Sequence, residues 1–281
     1  MTLSSIAKKR ILQRISYHAV YDNSIMDALE YAYENGFAGI QLTTDSPHLS
    51  FESLPESSII KIRSFLENKN LYLTIHAPDE AISPYTNSKV LRKGVLDYCR
   101  VLFDFASKMK APLVTIHLGT PISFRTDTKP QIEIPSTDLK LYKSILKEYL
   151  ETLVNLVENR FLLCVENYQM NQFNMEMMEP YLASKELSIC WDLAKSYGNM
   201  KMERYLMHNV PHIKQLHLHD VCHHADGSYR THCVIGTGEL DFRYYLSKTS
   251  SADIVDYCIE VRPREKAKES LEALKLILCP N

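Results

Sequence analysis

Eight short apolar runs, each followed by a longer stretch, recur along the chain. They are Arg14–His18, Ala38–Leu42, Leu71–His76, Leu113–His117, Leu162–Glu166, Leu187–Asp192, Ile213–His219 and Ile254–Val261. Helical periodicity fills several of the intervals, over Ser24–Asn35, Ser57–Asn68, Lys89–Lys108, Thr137–Glu158 and Glu265–Leu278, with Ser24 and Thr137 as expected N-caps. Strands that alternate with helices make βαβ units and a parallel sheet. Eight units in 281 residues, about 35 each, predict one closed (β/α)8 barrel over residues 1–281, with its core at about 15–278. No Pro-, Gly- or Ser-rich linker divides the chain.

The two faces of the runs differ, and this supports closure. One face carries Tyr72, Thr74, Leu113, Thr115, Leu162, Cys164, Ser188, Cys190, Gln215, Asp256 and Cys258. The other carries Leu73, Ile75, Val114, Ile116, Leu163, Val165, Ile189, Trp191, Leu216, Leu218, Tyr257 and Ile259. Side chains alternate across a strand, so the greasy set suits an outer ring of helices and the small, polar set a barrel interior. An open doubly wound sheet buries both faces under helices and favours apolar residues on each.

Composition narrows the function classes. Lys+Arg 32 against Asp+Glu 34 give a formal charge of −2, so no long-range positive field draws the chain to nucleic acid. No apolar run approaches the ~20 residues of a membrane span, and Met1–Arg10 does not read as a secretory signal. The seven cysteines are scattered without a CxxC pair, which predicts a reduced, cytoplasmic protein. Only 8 glycines occur, and there is no P-loop, GxSxG elbow or dinucleotide fingerprint.

The chemistry lies at the ends of the runs. The third to eighth end in His76, His117, Glu166, Asp192, His217 (with His219) and Glu260. The C-terminal strand ends of such a barrel form its active-site face, so these groups converge on the axis. One strand-end histidine is usually a half-buried structural residue. Three imidazoles and three carboxylates at one edge instead predict a divalent cation, because buried carboxylates without one carry a large desolvation cost. The mixed shell leaves Mn, Zn, Mg and Co open.

Thr74-Ile-His76-Ala-Pro78, Thr115-Ile-His117-Leu-Gly119, Val165-Glu166-Asn167, Trp191-Asp192, His217-Leu-His-Asp220, Gly236-Thr-Gly238-Glu-Leu-Asp241-Phe242 and Ile259-Glu260-Val261 occur in that order. This ordered set resembles the xylose-isomerase-like barrel superfamily, which contains sugar isomerases and epimerases, inosose dehydratases and the endonuclease IV family. The resemblance runs from about Ile15 to Leu278. It implies Glu166, Asp192, His217 and Glu260 as ligands of one catalytic metal, with a second metal at His76 and His117 in the nucleases. A trinuclear nuclease site needs a His where this chain has Lys195. It also needs an Asp-x-His where this chain has Arg230-Thr231-His232.

The expected function is therefore divalent-metal-dependent isomerisation or epimerisation of a sugar, sugar acid or sugar phosphate, by proton transfer through an enediolate. Glu166 and Glu260 are the expected acid–base pair. A dehydratase of a polyol or keto-sugar shares the first proton removal and is the alternative; a phosphodiesterase of apurinic sites ranks below it. His76, His117, Lys195 and Arg262 are candidate substrate contacts. Lys195 reads equally as a solvated lysine, and Arg262 as the partner of a structural carboxylate. Tyr85, Tyr168 and Tyr197 are candidate walls for a sugar ring. The long connection 119–136 is a candidate cover bearing Phe124 and Arg125. The expected partner is a small sugar or sugar acid, with no nucleic acid or membrane, and homo-oligomerisation stays open.

Overall fold

The computed structural model describes residues 3–79, 81–120 and 136–279. In chain order the elements are α1 (Ser5–Leu12), β1 (Ile15–Ala19), α2 (Ile25–Glu34), β2 (Gly39–Thr43), α3 (Glu56–Lys69), β3 (Tyr72–His76), α4 (Lys89–Lys108), β4 (Leu113–Ile116) and α5 (Ser136–Val157). There follow β5 (Leu162–Glu166), α6 (Gln172–Ala183), β6 (Ser188–Asp192), α7 (Leu193–Ser196), α8 (Met200–His208) and β7 (Ile213–Leu218). The last are β8 (Asp220–His223), β9 (Tyr229–Cys233), α9 (Phe242–Lys248), β10 (Asp256–Ile259) and α10 (Arg264–Leu278). Eight strands close in the order β1-β10-β7-β6-β5-β4-β3-β2, all parallel, as the eight runs predict. None of the described helices is long and apolar enough to cross a membrane.

The outer strand faces bear Leu73, Ile75, Val114, Ile116, Leu163, Val165, Ile189 and Trp191, all buried under the helix ring. Each such side chain contributes roughly 1.5–3 kcal/mol of transfer free energy. The inner face is built differently. Leu113, Cys164 and Cys190 form a small separate apolar cluster with Leu162 and Val255. Beside it Asp256 accepts hydrogen bonds from Tyr72 (2.8 Å), Thr74 (3.2 Å) and Gln215 (2.6 Å), and Thr115 donates to Gln215. Burial pushes the Asp256 carboxyl above the usual carboxylate range, against the hydrogen bonds it accepts. This layer is the floor beneath the strand ends.

Local expectations hold with adjustments. Ser24 Oγ accepts the Asp27 amide and caps α2. Thr137 is not a cap but a residue inside α5, which starts one residue earlier. The seventh run ends at Leu218, and the chain then forms an antiparallel hairpin, β8–β9, that no periodicity announced. Phe124 and Arg125 lie outside the described residues.

Candidate metal centre

At the C-terminal strand ends, the polar residues converge on Glu166. Its Oε2 is 3.1 Å from His76 Nε2, 3.1 Å from His117 Nε2 and 3.1 Å from His217 Nδ1. Glu260 stands opposite, with Oε2 3.4 Å from His217 Nδ1 and 3.6 Å from His219 Nε2. Its Oε1 is 3.5 Å from His18 Nδ1 and 3.6 Å from an Arg262 guanidinium nitrogen. Asp192 Oδ2 accepts from His219 Nε2 at 3.0 Å, and its Oδ1 accepts the amides of Ala194 and Lys195, which caps α7. Asn167 fixes the height of Asp192: its amide accepts from Asp192 N and donates to Asp192 O.

Among the described residues, four sets of ligand atoms each lie within 4.8 Å of one another: His76, Glu166 and His217; Asp192, His217 and Glu260; His219, His232 and Glu260; and His76, Asp79 and His117. Several of their buried atoms have no hydrogen-bond partner among the described residues: His217 Nδ1, both ring nitrogens of His117, and Glu260 Oε2. His76 shows how a proton or a cation fits between these groups. Its Nδ1 is 2.8 Å from the Ala77 carbonyl, so in the neutral ring the Nε2 lone pair faces the Glu166 carboxylate. Two acceptors face each other stably only with a proton or a cation between them. The donor set suits a divalent metal.

The electrostatics agree. Burial acts to raise the Glu166 carboxyl, but the imidazoles of His217 and His117 overcome it and hold the group well below the usual range. Glu260 is likewise held low against its burial by His18 and His217. His217 is pushed well up: burial opposes its charge, yet Cys190 and Glu166 favour it. His219 is raised against burial by Asp192. His18 and His232 are lowered, chiefly by burial.

The remaining sequence candidates reach the rim. Lys195, half-buried on α7, holds its ammonium 5.1 Å from the Tyr168 ring centroid, and that ring lies 4.8 Å from the His117 ring. Arg262 is half-buried beside Glu260. Of the three tyrosines, Tyr168 borders the cluster. Tyr85 is buried and donates to Asn174, while Tyr197 contacts His223 and Tyr229 away from it. Sequence reasoning passed over His18, although it ends the first run as the other polar residues end theirs. It also gave no role to Gln41, whose amide is 3.1 Å from His217 Nε2, or to Asp79.

A family model described as "Xylose isomerase-like TIM barrel" matches residues 29–277. The chain belongs to this family. An uncharacterized protein of Methanocaldococcus jannaschii, MJ1614, is 23% identical over 252 residues, covering 85% of this chain and 92% of the relative. Among solved structures, the 3-keto-D-glucoside 4-epimerase YcjR of E. coli superposes with a TM-score of 0.68 at 14% identity, covering 94% of this chain and 98% of that one. A probable 3-DHS dehydratase, AsbF, of Bacillus anthracis gives 0.69 at 13%, covering 95% and 100%. At these identities the likeness is one of fold.

Proposed function

We propose that the protein is a divalent-metal-dependent isomerase or epimerase of a sugar, sugar acid or sugar phosphate. The observation that carries this reading is the pair of buried carboxylates, Glu166 and Glu260, facing the same unpartnered His217 Nδ1 at 3.1 and 3.4 Å. Two carboxylates addressing one centre from two sides can remove a proton from carbon and return one to either face. Family membership and the epimerase-like fold neighbour support the substrate class.

Glu166, Asp192, His217 and Glu260 would hold the ion. His76 and His117 would contact substrate or, with Asp79, a second ion. A bound divalent cation polarises a carbonyl and its neighbouring hydroxyl, which acidifies the intervening C–H. Glu166 and Glu260 supply the proton transfers, their carboxyls kept ionised by the surrounding imidazoles. Tyr168 and Lys195 close the His117 side of the pocket. The resemblance of AsbF supports a second reading, in which the same proton removal is followed by loss of a β-hydroxyl. Lys195 and Arg230 occupy positions where a trinuclear nuclease needs metal ligands, and this weighs against phosphodiester cleavage.

Turnover of a sugar and sugar-acid panel in deuterated water, followed by NMR, tests the proposal. Deuterium is expected on the carbon next to the carbonyl. Glu166→Gln and Glu260→Gln should each lower the rate 10²-fold or more, with metal content measured on the same samples. Cleavage of abasic DNA with no activity on any sugar would overturn it.

A further inference from the structure

Beside the metal centre, between the β8–β9 hairpin and the start of α10, lies a cavity of about 310 Å³. Its lining includes Arg230, Thr231, His232, Arg262, Lys266 and Glu269. Three fixed cations thus face one carboxylate. Neither Arg230 nor Lys266 is paired with a carboxylate among the described residues; the thiols of Cys222 and Cys233 stand beside Arg230. Arg262 carries a buried Nε without a hydrogen-bond partner among the described residues. Between Arg262 and Lys266 the 15-residue helix α10 begins, with Pro263 at its N-cap and no side chain capping its first amides. The free amides there, those of Arg264 and Glu265, are not part of the cavity lining, so the positive charge of the cavity comes from its side chains.

The cavity is joined to the centre by two shared residues. His232 lines it while stacking on His219 at 4.2 Å, and its Nδ1 is 2.9 Å from the Glu260 carbonyl. Arg262 lines it while standing 3.6 Å from Glu260 Oε1. A ligand bound at the carboxylates and reaching past Glu260 would meet the cavity at these two side chains. Two guanidiniums and an ammonium against Glu269, with Arg262 shared with Glu260, suit a tetrahedral dianion better than a planar monoanion, since each oxygen finds its own donor.

We infer that this cavity is a phosphoryl-binding subsite and that the substrate is a sugar phosphate. The substrate assignment rests on the isomerase reading above; the subsite does not. The loop after the seventh barrel strand and the residues after the eighth build it, with α10 supplying Lys266 and Glu269.

The test is calorimetric titration of the metal-loaded protein with inorganic phosphate and, at equal ionic strength, with acetate. Wild type is compared with Arg230→Ala, Lys266→Ala and Lys266→Glu, all at exposed positions outside the metal cluster. Circular dichroism and metal content verify that each variant is folded and loaded. Phosphate should bind more tightly than acetate, each alanine should weaken it several-fold, and Lys266→Glu at least tenfold. Phosphate affinity unchanged in all three variants, or no tighter than acetate, overturns the subsite. The deuterium assay is run in parallel on sugars with and without a phosphate. Exchange on neutral sugars at kcat/KM equal to that on their phosphates overturns the substrate assignment. Failure of the isomerase reading has a different signature, no exchange on any sugar with phosphate binding intact.

Discussion

His219 Nε2 meets Asp192 Oδ2 at 3.0 Å, and both side chains are fully buried. Asp192 Oδ1 is already held by two backbone amides, so His219 governs the oxygen left for a cation. His219→Ala should therefore lower divalent-metal affinity 10–100-fold, the usual effect of losing a group that orients a ligand. Asp192→Ala and His217→Ala should abolish stoichiometric metal altogether. Elemental analysis and competition with a chromogenic chelator read both. Wild-type affinity in His219→Ala would remove it from the site.

Lys195 lies over Tyr168 with no carboxylate partner among the described residues. Lys195→Ala is expected to raise KM for an anionic substrate about tenfold, the scale of one charge-assisted hydrogen bond, while leaving a neutral analogue within about twofold. Steady-state kinetics on the matched pair check this. Equal effects on both would return Lys195 to a solvated surface role.

Asp256 gives a pH prediction. Its native pKa is raised, chiefly by burial, above its value in the unfolded chain. The native state therefore binds more protons between those two values, and stability falls as pH rises through that window. Asp256→Asn has no such titration. The stability of wild type relative to the variant should decline from about pH 4 upward, measured by urea unfolding at a series of pH values. A difference constant with pH would contradict the assignment.

Gly238 admits no side chain. A Cβ there would stand 2.1 Å from the Val221 carbonyl oxygen and 2.6 Å from Asp220 Oδ1. Gly238→Ala should cost about 1–3 kcal/mol, the range for overpacking, visible as a lower urea midpoint. A midpoint unchanged from wild type would mean that the loop rearranges freely.

The barrel was legible because its two strand faces meet different surroundings, and alternation writes that difference into residues such as Thr74 and Ile75. The same alternation carried more than was read from it. His217 and His219 share a face of the seventh run, yet the resemblance singles out His217 alone as a ligand, and alternation by itself does not rank the two. His18 escaped because Ser16 and His18 in the first run were not compared with the later strand ends. The hairpin and the seat of Lys195 over Tyr168 were not legible: both follow from tertiary contacts between loops, and local periodicity holds no trace of those. Gly236 and Gly238 stand in the sequence as part of the family-like motif, but their role, two amides donated to Asp220, is a tertiary contact that the motif does not spell out.

That Asp220 carboxylate accepts four backbone amides, from Val221, Gly236, Gly238 and Leu240. It ties both stems of the excursion between strands β7 and β10 into a single knot at the barrel's rim. The tip of the hairpin, residues 224–228, is thereby set apart from the strands below, whereas His232 on β9 stays tied to His219 and to the Glu260 carbonyl. That tip can be lengthened, shortened or exchanged as a cassette. A lineage that kept the knot could change the reach and charge of this arm, and so its diet of substrates, without rebuilding the carboxylates and imidazoles beneath it.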